Sequence, residues 1–138
     1  MRTVRTLSHS EAMNVLRGVE QELERRKKGA AIAVVDSHGE LMAMLRTDGC
    51  RLSCISVAIN KAYTAAREEN TSKALGDASK REGFPLTNFG DLRYVTWGGG
   101  VPIRAADGEV IGAVGVSGLT EEEDMMLAEL GAKLVPTS

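Results

Sequence analysis

The sequence predicts an α+β layer fold: five antiparallel strands flanked by helices, in the order α-β-β-α-α-β-β-β-α. Three observations carry this. Two apolar runs, 30–36 and 40–46, are separated only by the turn text DSHG, so the second must return antiparallel to the first. A second short connection, ADGE, carries an Asp-Gly hairpin signal between VPIRA and VIGAVGVSG. Segments of helical period stand at both ends and in the middle rather than after every strand, which excludes a doubly wound parallel sheet.

Each element has a local reason. Ser8 and Glu11 have capping-box spacing, and Ala12, Val15, Leu16, Val19 and Leu23 follow at helical intervals. Arg25 to Lys28 place positive charge at the end of that helix, with Gly29 as its expected stop. AAIAVVD is a short apolar run rich in β-branched residues, as in a strand buried on both faces, and ELMAMLR is its return partner. From Ser53 to about Glu69, Ile55, Ala58, Ile59, Ala62, Ala65 and Ala66 form a small-residue stripe suited to close packing on a sheet or another subunit. TSKALGDASKRE predicts a weaker helix stopped near Gly83, and GFPLTNFGD a loop. LRYVTW predicts a strand, followed by three glycines and VPIRA. Thr120 and Glu123 make a second capping box, with Met126, Leu127, Leu130 and Leu134 as the apolar face of the closing helix.

With 138 residues, 43% apolar and 26% charged, the chain is expected to be one domain, 1–138. A net charge of −2 argues against nucleic acid as a partner. The longest apolar run is too short to span a membrane, and the N-terminus lacks the apolar core of a secretory signal. The expected location is cytoplasmic, with Cys50 and Cys54 as free thiols. A lone C-x-x-x-C pair without nearby histidine is not a zinc site, and no metal is expected.

The stretches AIAVVDSHGELMAMLRTDG, CISVAINKAYTAA, GGGVPI and DGEVIGAVGVSGLTEEED stand in one order across nearly the whole chain. Together they resemble the GlcG/HbpS-like family, the haem-degrading or DUF336 domain that also forms the C-terminal domain of PduO-type corrinoid adenosyltransferases. The resemblance implies a profilin-like fold, homo-oligomers, and haem or a corrinoid as a possible cofactor. In some haem-binding relatives a first-helix histidine is the axial ligand, and His9 is the residue that matches it here.

Among single residues, Asp36 ends a buried strand, either closing an Asx-turn or holding a carboxylate at a pocket edge. His38 lies in the DSHG turn and is either a turn residue or a ligand. Lys61 matches the lysine of the family's helix pattern, beside Thr64. It stands either on a wet face or at a cleft margin, where it could hold a carboxylate or move a proton. Arg46 and Arg67 are further candidates for anion binding, or simply surface charges. Gly98, Gly99 and Gly100 exceed what one turn requires. They serve either ligand approach to main-chain N–H groups beside Trp97, or close packing of a helix or subunit. If ligand approach is their role, Gly99→Ala is expected to affect binding more than folding. No nucleotide-binding glycine fingerprint is present.

Three readings follow, the third a purely structural oligomerising module beside an enzyme of a catabolic operon. The first is an oligomeric small-molecule-binding domain taking a tetrapyrrole or a small carboxylate metabolite between the glycines, the Lys61 helix and Asp124. The second is a metal-independent isomerase, lyase or hydrolase for a small carboxylated or enolisable metabolite of a catabolic pathway. There Lys61 would work with Asp36 or Asp124, and the glycine amides would be oxyanion donors.

Overall fold

The computed structural model describes residues 1–135. Helix α1 (His9–Arg26) is followed by β1 (Ala31–Asp36), β2 (Leu41–Arg46), α2 (Cys54–Glu68), α3 (Ser72–Glu82), a short 3-10 turn (Leu86–Phe89), β3 (Gly100–Arg104), β4 (Val110–Ser117) and α4 (Glu121–Ala132). The four strands form one antiparallel sheet in the order β2-β1-β4-β3.

The sheet has two unlike faces. On one, Ile32, Val34, Val114 and Val116 pack against Val15, Val19 and Leu23 of α1 and Leu127 and Ala128 of α4. On the other, Ala31, Ala33, Val35 and Ala113 meet Ala58, Ala62, Ala65 and Ala66 of α2. The alanine stripe is therefore spent on the chain's own sheet. The fit is tight: a Cβ on Gly115 would stand 2.2 Å from the Ala58 carbonyl oxygen. Both central strands are covered on both faces, as continuous apolar runs require.

The expected fifth strand, LRYVTW, is not formed. Residues 92–97 cross α2 and α3 as irregular chain, leaving four strands and the order α-β-β-α-α-β-β-α. Side chains replace the ladder. Val95 N–H donates to Thr64 Oγ1 at 3.0 Å, and Arg93 N–H donates to Asp91. The Tyr94 ring stacks on Phe89, 4.4 Å between centroids, and meets Tyr63 edge-on. Thr96 lies so close to α3 that a Cβ on Gly76 would come within 2.2 Å of its carbonyl oxygen. The three glycines are accordingly not a hairpin turn: Gly100 opens β3, opposite Gly115.

Smaller differences have equally local causes. The α1 capping box forms as expected, but the helix ends at Arg26 with Lys27 in the left-handed conformation. Gly29 instead makes room for the turn at 48–50, where its Cβ would lie 2.2 Å from Asp48 O. In α4 the buried stripe is Asp124, Leu127, Ala128 and Gly131, while Met126 is exposed and Leu134, beyond the helix end, is partly exposed with its side chain against Gly18 of α1. Of the expected apolar face Leu127 is buried and Leu130 half-buried, and a carboxylate joins the inward stripe.

A candidate ligand cleft over a buried ion pair

Helix α2 on one face of the sheet and the start of α4 on the other meet beyond the end of β4. Lys61 occupies that junction and is 2% exposed. Its Nζ donates to Val116 O at 3.0 Å and to Asp124 Oδ2 at 3.1 Å. Asp124, 3% exposed, also accepts the Leu119 N–H on Oδ1 at 3.1 Å. Burial pushes the Asp124 carboxyl above its ordinary value, against the opposing pull of the Lys61 ammonium.

The glycines allow this crossing. Gly99 has φ +128°, and a Cβ there would lie 2.6 Å from Val116 O and 2.9 Å from Lys61 Nζ. A Cβ on Gly100 would lie 2.1 Å from Lys61 O, and one on Gly98 would strike Met125. Gly99→Ala is thus both backbone-strained and sterically blocked, which corrects the expectation that it leaves folding nearly intact. The Gly100 N–H is already taken by Ser72 Oγ, which in turn donates to Trp97 O. Close packing between α2 and the start of α4 leaves no room for a Cβ at any of the three.

Above the ion pair opens a cleft of about 460 Å³. Cys54, Val57 and Lys61 come from α2, Ser117 to Leu119 from the end of β4, and Trp97 stands at the rim, 61% exposed. Arg51 and Ser53 close one side and Glu121 another. The charges are unevenly matched. Lys61 is paired with Asp124, and Glu121 lies 3.4 Å from Lys73. Arg51 makes no ion pair among the described residues.

The structure brings together Lys61, Asp124, Trp97 and Gly98, with Gly99 and Gly100 packed directly behind Lys61. It does not bring in the others. Asp36 ends β1 opposite Gly112, five residues along β4 from Ser117, hence about 17 Å of strand away. Its Oδ1 accepts the His38 and Glu40 N–H groups, closing the β1–β2 turn. Arg46 borders a separate groove with Glu20, Leu23 and Thr47. Arg67 lies over the Tyr63 ring and donates to His38 O, and Thr64 is buried, holding Val95. His9 is exposed at the start of α1, beside a segment whose Leu7 N–H bonds Ile111 at the far end of β4. Arg51, Ser53, Cys54 and Glu121 escaped the sequence reading. The signal for three of them was GCRLSC immediately before the Lys61 helix, read there only for its thiols.

For haem the donor set is a poor fit. Neither histidine lines the cleft, and Cys54 is its one soft donor among the described residues. No group of three or more His, Cys, Asp or Glu side chains among the described residues could hold a metal ion, and no helix among them is long and apolar enough to cross a membrane.

The chain is similar to known proteins over most of its length. An uncharacterized 15.0 kDa protein in the dhaT-dhaS intergenic region of Citrobacter freundii is 35% identical over 130 residues, covering 91% of this chain and 89% of the relative. Protein GlcG of Escherichia coli K12 is 32% identical over 123 residues, covering 85% of each. The crystal structure of Klebsiella pneumoniae ORFY, of family DUF336, superposes with a TM-score of 0.88 at 26% identity, covering 98% of this chain and 94% of that one. The PduOC:haem complex superposes at 0.85 with 24% identity, covering 96% and 97%, a likeness of fold. The family model for the haem-degrading protein HbpS-like group matches residues 7–133, and the chain belongs to that HbpS-like family.

Proposed function

We propose that this protein is a small-molecule-binding domain whose cleft between α2 and α4 takes a carboxylate-bearing organic ligand. The observation that carries the reading is Arg51, the cation at a cleft whose other charges are met within the chain. A guanidinium offers a planar, bidentate match to a carboxylate. Trp97, Val57 and Leu119 supply apolar wall for the ligand's body, and the volume lies within the ordinary range of about 300–1,000 Å³ for such pockets. The binding reading is favoured over an enzyme because Lys61, Asp124 and the Gly100 amide already satisfy one another or their neighbours, and Asp36 stands at the other end of β4.

Two sources supply that chemistry: the propionate-bearing edge of a tetrapyrrole, suggested by the haem complex of the PduOC relative, or a small carboxylated metabolite. For a tetrapyrrole the ring and its carboxylates would be held by cleft residues, without histidine on the iron. Trp97 is the chain's one tryptophan and stands at the rim, so its emission reports occupancy. The test titrates hemin, iron-free protoporphyrin, a corrinoid and a panel of small carboxylic acids, following Trp97 emission and thermal stability. The binder at about 100 times its Kd adds about 2.7 kcal/mol to stability. Protoporphyrin binding as well as hemin marks the ring source; a response to small acids alone marks the metabolite. Ser53→Phe, which fills the cleft at a position whose side chain makes no cap bond, abolishes the response. Quenching of Trp97 that survives Ser53→Phe contradicts the placement, as does a panel in which nothing moves either signal.

A further inference from the structure

Cys50 and Cys54 flank the stretch that builds one side of the cleft, and both are free thiols. Cys54 is the first residue of α2 and is buried, yet it lines the cleft. Cys50 is partly exposed, and its N–H bonds Thr47 O, which folds the preceding turn back toward the helix start. The Cys54 N–H bonds Arg51 O, continuing the same tight path. Cys50 packs against the apolar cluster that contains Cys54, and its thiol donates to Arg51 O at 3.3 Å. Burial, and then Cys54, hold the Cys50 thiol above its ordinary value.

We infer that Cys50 and Cys54 form a dithiol site that a low-molecular-weight disulfide, such as oxidised glutathione, closes into an intrachain disulfide. The more exposed Cys50 attacks the small disulfide as thiolate. An Sγ–S bond forms, and the first small thiol leaves. Cys54 then displaces the second small thiol and forms the Sγ–Sγ bond. The protons of both cysteines pass to the two departing thiolates, so two protein thiols are oxidised and one small disulfide is reduced to two thiols. Arg51 and Ser53 lie inside the ring so formed, and both belong to the cleft wall. Closing it ties that wall to α2. A structural explanation, two cysteines merely packed as small apolar residues, leaves both thiols inert in the folded protein.

The test treats the folded wild type, Cys50→Ser and Cys54→Ser with oxidised glutathione, and reads intact mass and free thiols. The wild type loses two hydrogen atoms and both thiols, carries no glutathione, and is restored by dithiothreitol. Cys54→Ser keeps one glutathione adduct on Cys50 instead, because the displacing thiol is gone, and Cys50→Ser, which lacks the attacking thiol and keeps only the buried Cys54, stays unmodified. Because the attacking thiol is raised, the reaction speeds up as pH rises through and beyond about 8.5, the ordinary thiol value. Wild type that carries glutathione on both cysteines overturns the inference, as do covalent dimers, or thiols that react only after urea unfolding. None of these readouts depends on the cleft's ligand, so failure here leaves the binding proposal standing and the converse also holds.

Discussion

The two faces of the sheet solve the packing problem in opposite ways. Toward α1 and α4 the layer is thick, filled by valines, leucines and isoleucines. Toward α2 it is thin, nearly all alanine and glycine. The thick face takes its stability from apolar area, at about 25 cal/mol per Å² removed from water. The thin face gives up area per residue and gains proximity. Proximity lets Lys61 on α2 reach past the end of the sheet to Asp124 on the other side. It also requires Gly99, Gly100 and Gly115, where a Cβ would strike backbone. The difference teaches where the site comes from: the cleft lies where the thin layer ends.

The largest expected effect breaks the tie between the faces. Lys61→Met leaves the Asp124 carboxylate buried without its partner and costs about 3–5 kcal/mol in urea unfolding. Lys61→Met combined with Asp124→Leu recovers most of that loss, because the penalty belongs to the orphaned charge. A double variant as unstable as the single one would mean that the pair holds the faces together in its own right.

Next come two variants that should fail for opposite reasons. Leu127→Ala on the thick face removes buried volume and costs about 2–5 kcal/mol. Ala62→Leu on the thin face adds volume and costs about 1–3 kcal/mol. The contrast fails if Ala62→Leu is neutral by denaturant titration, for then the thin layer has room to spare.

The smallest effect is in pH. The Asp124 carboxyl is raised in the folded state, so there the folded chain binds more protons than the unfolded one. Its contribution therefore falls as pH rises from the ordinary 3.8 through the raised value, and is regained on acidification. Asp124→Asn removes that slope. Urea midpoints of wild type and variant, measured from about pH 4 to 7, should shift in the wild type's favour as pH falls. Parallel curves would contradict it.

How much of this was legible follows the same division. The thick face was written in period: Val15, Leu16, Val19 and Leu23, and the runs of β1 and β4, could be placed from spacing alone. The alanine stripe of α2 was visible too, but not what it packed on, since small residues fit a sheet and a subunit equally. LRYVTW has a strand's composition, and nothing local says that Thr64 and Asp91 will take its N–H groups instead of a neighbouring strand. In α4, Met126 and Leu134 looked like core because a carboxylate is rarely fully buried, and only its partner 63 residues away makes Asp124 the inward residue. Lys61, Asp124, Trp97 and the glycines were singled out from sequence and do cluster. Arg51 was passed over because an exposed arginine in a loop carries no signal until the cleft's other charges are seen to be paired.

Arg51 and Arg46 give the most direct test of the binding account, since both are arginines, but only one lines the cleft. The measurement is the Kd of the carboxylate ligand identified by titration, for wild type, Arg51→Gln and Arg46→Gln. Loss of a charge-assisted contact worth about 1.5–3 kcal/mol raises Kd by about tenfold or more in Arg51→Gln, and Arg46→Gln stays within error of wild type. Equal affinity in Arg51→Gln, or the larger loss in Arg46→Gln, would contradict the cleft over Lys61 and Asp124 as the ligand site.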